Sequence, residues 1–173
     1  MDDDVRVFGV SGYSSTGKTT LIERLIDALI RRGHRVATVK STKDDLPFAD
    51  GTDTGRHWAA GAETTVLLGP ATTVITERRR LRLHEALAHT EADIVIVEGM
   101  KEEDIPRFWC LGNDIGSAPE EEVRRKGLKG FVLWGDVGRQ RTKLKTPAFR
   151  SDDIEHLTDI VEREAVSLKA LNA

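Results

Sequence analysis

An α/β fold with a mostly parallel sheet, flanking helices and a protruding β-hairpin is predicted by three features of the sequence. A short apolar run, Val5 to Val10, stops at Ser11-Gly12 and is followed by a helical apolar stripe and a second run, Arg35 to Lys40. That gives strand–helix–strand in about 35 residues, the right-handed crossover unit of a parallel sheet. The third feature is Asp93-Ile94-Val95-Ile96-Val97-Glu98-Gly99, the most hydrophobic strand candidate in the chain. Uninterrupted β-branched residues of this kind suit a strand in mid-sheet with helices on both faces.

The elements follow in chain order. Leu21, Ile22, Leu25, Ile26, Leu29 and Ile30 recur at helical spacing and Gly33 follows, so the first helix is placed near residues 18–32. Residues 41–55 are polar and glycine-bearing, with aspartates at 44, 45, 50 and 53. A loop of that length inside a compact domain is usually functional or mobile. Arg56 to Ala62 is expected as a short helix and Thr64 to Leu68 as a strand. Ala71 to Leu83 alternates apolar and polar residues around Glu77-Arg78-Arg79-Arg80, which predicts a β-hairpin with that polar run at its tip. His84 to His89 reads as helical, Gly130 to Trp134 as a late strand, and Ser151 to Leu168 as a final helix. Ser151-Asp152-Asp153 would supply that helix with its cap and first-turn acids. No repeat, low-complexity stretch or Pro/Gly linker divides the chain, so residues 1–173 are expected to form one domain.

Composition narrows the function. Lys plus Arg number 26 against 29 Asp plus Glu, a net charge of −3, whereas nucleic-acid-binding domains usually carry a basic excess. A single cysteine, Cys110, excludes an intrachain disulfide and a cysteine-based zinc frame, and its setting between Trp109 and Leu111 suits a small core residue. The start, Met1-Asp2-Asp3-Asp4, is acidic where a signal peptide is basic, and no apolar run reaches the roughly 18 residues of a membrane span. A cytoplasmic protein without membrane or nucleic-acid partners is therefore expected.

Gly12-Tyr13-Ser14-Ser15-Thr16-Gly17-Lys18-Thr19 fits G-x-x-x-x-G-K-[ST] at every fixed position, after a predicted strand and at the opening of a predicted helix. This is the phosphate-binding loop of P-loop NTPases. Gly12 and Gly17 let the backbone curl so that the N–H groups of residues 14–20 point at phosphate, and the helix start adds a positive dipole end. Lys18 would reach the outer phosphates, and the hydroxyl of Thr19, with Thr20 beside it in the first helical turn, would hold Mg2+. A nucleotide-bound Mg2+ also needs a carboxylate from a neighbouring strand end. Glu98 has that place, and the alternative for it is a strand-end acid capping the next turn. Asp93 begins the same strand at the opposite end of the sheet and reads as a cap. Asp53 and Asp50 are rivals for contacting metal or orienting water, while Asp44 and Asp45 read as solvated charge. Lys40 ends the second strand on the loop's edge of the sheet, where it would contact an anion or lie along the surface. Arg78, Arg79, Arg80 and Arg82 suit an anionic substrate, a dimer contact or a solvated tip, and His57 is a weak candidate base. No N-K-x-D motif reads a base; Asp136 stands where a base amine could be read, or serves a turn.

Several segments, in order, resemble the molybdopterin-guanine dinucleotide biosynthesis protein B family (MobB). They are Val10 through Leu25, Gly33 to Lys40, Asp50 to Thr54 with Arg56 and Ala60-Gly61-Ala62, Asp93 to Lys101, Pro106-Arg107, and Thr146 to Ile154. The chain departs from the family pattern at Ser41, where histidine is common, and at Thr52, where lysine is usual. The resemblance implies a P-loop GTP-binding protein with weak hydrolysis, dimeric through a hairpin, here Thr72–Leu83. It would use GTP and Mg2+ and help attach a nucleotide to the molybdopterin cofactor, together with a molybdopterin guanylyltransferase (MobA-like). The alternative from another class is a small-molecule kinase with the Arg78–Arg82 stretch as its lid.

Overall fold

The computed structural model describes residues 5–45, 51–113, 127–135 and 146–171. They fall into two compact units: residues 42–85 form one, and the segments on either side of them form the other.

The larger unit is built on a parallel sheet. Strand β1 (Arg6–Gly12) runs into helix α1 (Lys18–Arg31), then β2 (Val36–Lys40). After the smaller unit come β5 (Ile94–Glu98), β6 (Arg107–Gly112), β7 (Leu128–Leu133) and β8 (Ala148–Arg150), then helix α4 (Ile154–Glu164) and a two-residue strand β9 (Val166–Ser167). The order is β2-β5-β1-β6-β7-β8, every neighbouring pair parallel, with β9 antiparallel to β1. The expected mostly parallel, helix-flanked sheet is what forms, and β5 lies inside it, between β2 and β1, with its four consecutive apolar residues buried.

Strand alternation sorts the core into two faces. Phe8, Val10, Ile94, Ile96, Phe108, Cys110 and Val132 face one way and pack with Leu21, Ile22, Leu25 and Leu29 of α1 and Leu157, Ile160 and Val161 of α4. Trp109, Leu111, Phe131, Leu133 and Ala148 form a separate cluster on the other side. Arg32 ties the end of α1 to α4, reaching Glu155 at 2.7 Å, Asp159 at 2.7 Å and Glu162 at 2.6 Å. His34 joins the same Glu162 at 2.7 Å.

The smaller unit holds helix α2 (Asp53–Ala59), the antiparallel pair β3 (Thr64–Leu68) and β4 (Thr73–Glu77), and the start of α3 (Leu83–Leu87). The hairpin differs from the expected one. Its turn is Gly69 to Thr72, closed by the Gly69 N–H donating to the Thr72 carbonyl at 2.8 Å. Arg78 to Arg82 therefore follow the second strand and are not a tip. Helix α2 begins three residues before the expected Arg56, because the Thr52 hydroxyl accepts from the Gly55 N–H at 3.2 Å and caps it. The final helix departs too: Asp153 makes no side-chain cap, and Asp152 pairs with Arg150.

Candidate functional site

The loop between β1 and α1 is closed by two of its side chains on one backbone carbonyl and shaped by two glycines. At Gly12, φ is 147°, and a Cβ would stand 2.6 Å from the Cys110 carbonyl and 2.8 Å from the Thr16 hydroxyl. Gly17 is left-handed, with φ 83°. Ser15 also takes positive φ, 60°, a conformation that non-glycine residues hold only under constraint. The Tyr13 carbonyl accepts from the Lys18 ammonium at 2.6 Å and from the Thr16 hydroxyl at 2.9 Å, so two loop residues converge on one oxygen. Ser14, Ser15, Thr19 and Thr20 are exposed. α1 has no side-chain cap and no acid in its first turn, which leaves its N–H groups and positive dipole end for an anion.

Parallel strands bring their C-terminal ends to this loop. Glu98 lies in register with Val10 on β1 and Lys40 on β2, and its carboxylate is 3.3 Å from the Lys40 ammonium. The two are unequal in exposure: the Glu98 side chain is 15% exposed and that of Lys40 62%. The turn after Glu98 is bonded to β1, with the Gly99 N–H donating to the Val10 carbonyl at 3.1 Å and the Ser11 hydroxyl to the Gly99 carbonyl at 3.3 Å. Gly12 to Thr20, Lys40 and Glu98 thus share one edge of one sheet. Asp93 is at the far end, where its carboxylate accepts from the Arg35 N–H at 2.7 Å and guanidinium at 3.0 Å; these bonds hold its pKa below the ordinary value.

Asp53 belongs to the smaller unit, in the first turn of α2, 88% exposed and 3.8 Å from Arg56. Asp50 and Asp136 lie outside the described residues. The arginines are occupied in separate contacts. Arg78 stacks on Trp58 and donates to the Ala62 carbonyl at 2.9 Å; Arg79 pairs with Glu77 and Glu85, each at 2.8 Å. Arg80 donates to the Thr42 carbonyl at 3.4 Å, and Arg82 pairs with Glu85 at 3.3 Å. Cys110 is a core residue, its thiol pushed up to about 12 by burial against the opposing charge of Lys18.

Two neighbours of the loop were not among the expected site residues, although Lys101 closes the Asp93 to Lys101 segment of the family resemblance. Lys101 lies over the rings of Tyr13, at 5.1 Å, and Trp109, at 4.8 Å. The turn presenting it passes through Met100 at φ 47° and is braced by buried Arg107, which donates to the Lys101 carbonyl at 3.0 Å. Trp134, at the end of β7, donates from its indole nitrogen to the Thr16 carbonyl at 3.0 Å.

Residues 7–132 match the family described as molybdopterin guanine dinucleotide synthesis protein B, MobB. The chain belongs to the MobB family. A relative from Escherichia coli, named molybdopterin-guanine dinucleotide biosynthesis adapter protein, is 30% identical over 165 residues, 91% of each chain. A protein of the same name from Haemophilus influenzae is 34% identical over 62% of this chain and 64% of its own. A Methanocaldococcus jannaschii relative is 39% identical over 65% of this chain, which spans only 50% of that protein's length. Among solved structures, a MobB homologue from Bacillus stearothermophilus is 26% identical, with a TM-score of 0.65 over 91% of this chain and 96% of its own. Bacillus subtilis MobB shares the fold at a TM-score of 0.70, with 23% identity over 93% of this chain and 98% of its own.

Proposed function

We propose that this MobB-family chain is a nucleotide-binding adapter in molybdenum cofactor biosynthesis, assisting formation of the molybdopterin guanine dinucleotide cofactor. The observation that carries the reading is the Gly12–Thr20 loop. It opens an uncapped helix with no first-turn acid, spans itself with Lys18, and shares its sheet edge with Glu98 and Lys40. The adapter names of the Escherichia coli and Haemophilus influenzae relatives support the pathway.

The ligand in this reading is GTP with Mg2+. The backbone N–H groups of Ser14 to Thr20 receive phosphate oxygens, Lys18 exchanges the Tyr13 carbonyl for the outer phosphates, and Lys40 adds a cation at the rim. The donors suit Mg2+, since the Thr19 hydroxyl and the Glu98 carboxylate are hard oxygens. Among the described residues no cluster of three or more His, Cys, Asp or Glu could hold a metal, which fits an ion delivered on the nucleotide. When bound, Mg2+ supplies charge neutralisation between phosphates. Glu98 is the residue on this sheet edge assigned to orienting water, and hydrolysis is expected to be slow.

Partners in this reading are the molybdopterin cofactor, a guanylyltransferase and a second copy of the chain. The β3–β4 hairpin supports the dimer: Val66, Leu67, Leu68, Val74 and Ile75 are 49–75% exposed, an apolar ribbon that a second copy would cover. A cytoplasmic setting agrees with this pathway, and among the described residues no helix is long and apolar enough to cross a membrane.

Calorimetric titration with non-hydrolysable analogues of GTP and ATP, each with Mg2+, tests the reading. Binding of the GTP analogue alone, abolished by Lys18→Ala, supports it. Preference for ATP, or no discrimination, moves the small-molecule kinase to the front; unchanged binding by Lys18→Ala removes the loop from the site.

A further inference from the structure

The indole of Trp134 is wedged against the phosphate loop at the point where helix α1 begins. Its Nε1–H donates to the Thr16 carbonyl at 3.0 Å, and a Cβ built on Gly17 would lie 2.2 Å from that nitrogen and 2.4 Å from the adjoining ring carbon. Arg24, two helical turns beyond Gly17 on the same face of α1, places its guanidinium 5.1 Å from the indole centroid and donates to the Ser151 carbonyl at 3.3 Å. From the other side, the Trp134 N–H donates to the Gly112 carbonyl at 2.9 Å, at the end of β6. The ring is thus fixed by its own strand, by β6 and by α1.

A trans peptide is planar, with its C=O and N–H on opposite sides. Tying the Thr16 carbonyl down to the indole therefore turns the Gly17 N–H to the opposite side of that peptide, away from Trp134. We propose that Trp134 is a positioning residue of the phosphate loop: by holding the Thr16–Gly17 peptide in one orientation, it presents the Gly17 N–H to a phosphate oxygen. The close fit also assigns Gly17 a reason beyond its left-handed φ, since any side chain there would displace the indole that orients the peptide. The inference rests on the nucleotide-binding reading of this loop.

Trp134→Phe keeps an aromatic ring beside Gly17 and Arg24, removes the N–H donor and trims the fused ring. Losing one orienting hydrogen bond, of about 0.5–1.5 kcal/mol, lowers affinity roughly 2- to 12-fold. Calorimetry is expected to show that loss for the Mg2+-bound GTP analogue and for Mg2+-bound inorganic tripolyphosphate in equal ratio, because phosphate and not base is affected, while the thermal midpoint of the ligand-free variant stays near that of the parent. A loss for the GTP analogue with none for tripolyphosphate would make Trp134 a base contact and overturn the proposal. So would parental affinity in Trp134→Phe. If the phenylalanine variant is unstable, Gly17→Ala is compared in the parent and in Trp134→Ala. Positioning by the indole predicts that its cost to binding shrinks once the indole is gone, and an unchanged cost overturns it. A parent protein that binds no nucleotide overturns both this inference and the reading beneath it; binding by the parent with no effect of Trp134 overturns this inference alone.

Discussion

Lys40 and Glu98 stand opposite each other on adjacent parallel strands, with 3.3 Å between ammonium and carboxylate, at the edge where β1 turns into the phosphate loop. The carboxylate is the more enclosed partner and the ammonium the more exposed, so the lysine is the one free to swing toward an incoming anion while Glu98 stays in place.

Glu98→Gln keeps the shape and removes the charge. Titration of the GTP analogue with and without Mg2+ is expected to show that the Mg2+-dependent gain in affinity falls while Mg2+-free binding changes little. Equal losses in both titrations would assign Glu98 to the strand end and not to the ion.

Val66 pairs with Ile75 and Leu67 with Val74 across the hairpin, so each face of the ribbon carries an apolar pair. Sedimentation of the parent is expected to give a dimer mass, and Leu67→Asp combined with Val74→Asp a monomer. A monomeric parent sinks the dimer reading, and a dimeric variant moves the interface off the hairpin.

At the far end of α1, burial alone would raise the Glu162 carboxyl, but hydrogen bonds from His34 and Arg32 outweigh it and hold it below the usual glutamate range. A carboxyl depressed in the folded state stabilises above its unfolded value of 4.5, and that contribution is lost as pH falls through the depressed one. Arg32→Met should cost about 1–2 kcal/mol near neutrality, because a partly enclosed network is removed. The difference between parent and variant in thermal melts should narrow below about pH 4.5. A gap that is constant down to pH 2 would show that Arg32 contributes by packing alone.

Gly130 on β7 leaves no room for a methyl group: a Cβ would stand 2.3 Å from the Phe149 ring and 2.9 Å from the Pro147 carbonyl. The ring is itself packed against Phe108 and His156. Gly130→Ala is expected to lose about 1–3 kcal/mol in urea unfolding, through a lower midpoint at an unchanged slope. An unchanged midpoint would mean that the Phe149 ring moves aside without strain.

The phosphate loop, α1, β2 and β5 were legible in the sequence because each obeys a local rule: fixed spacing, helical period, or a run of β-branched residues. The hairpin was misplaced because polar–apolar alternation continues through Arg79-Arg80-Leu81-Arg82-Leu83, whereas the turn is at Gly69-Pro70, the stronger stop signal. Strand β6 was visible only through family resemblance. It opens with Arg107, a charge that reads as loop but is buried and bonded to carbonyls of the preceding turn. Trp134 was invisible for a different reason. Nothing near it in sequence relates it to Thr16; they meet because β6 and β7 are laid beside β1.

Arg32, with its three carboxylates, moors the trailing end of the same helix whose leading end forms the phosphate loop. A helix fastened at one end and wedged by an indole at the other has little freedom left to surrender when an anion arrives. In the nucleotide-binding reading, a phosphate would meet backbone donors already held by that helix, and little of its binding energy would be consumed in arranging them.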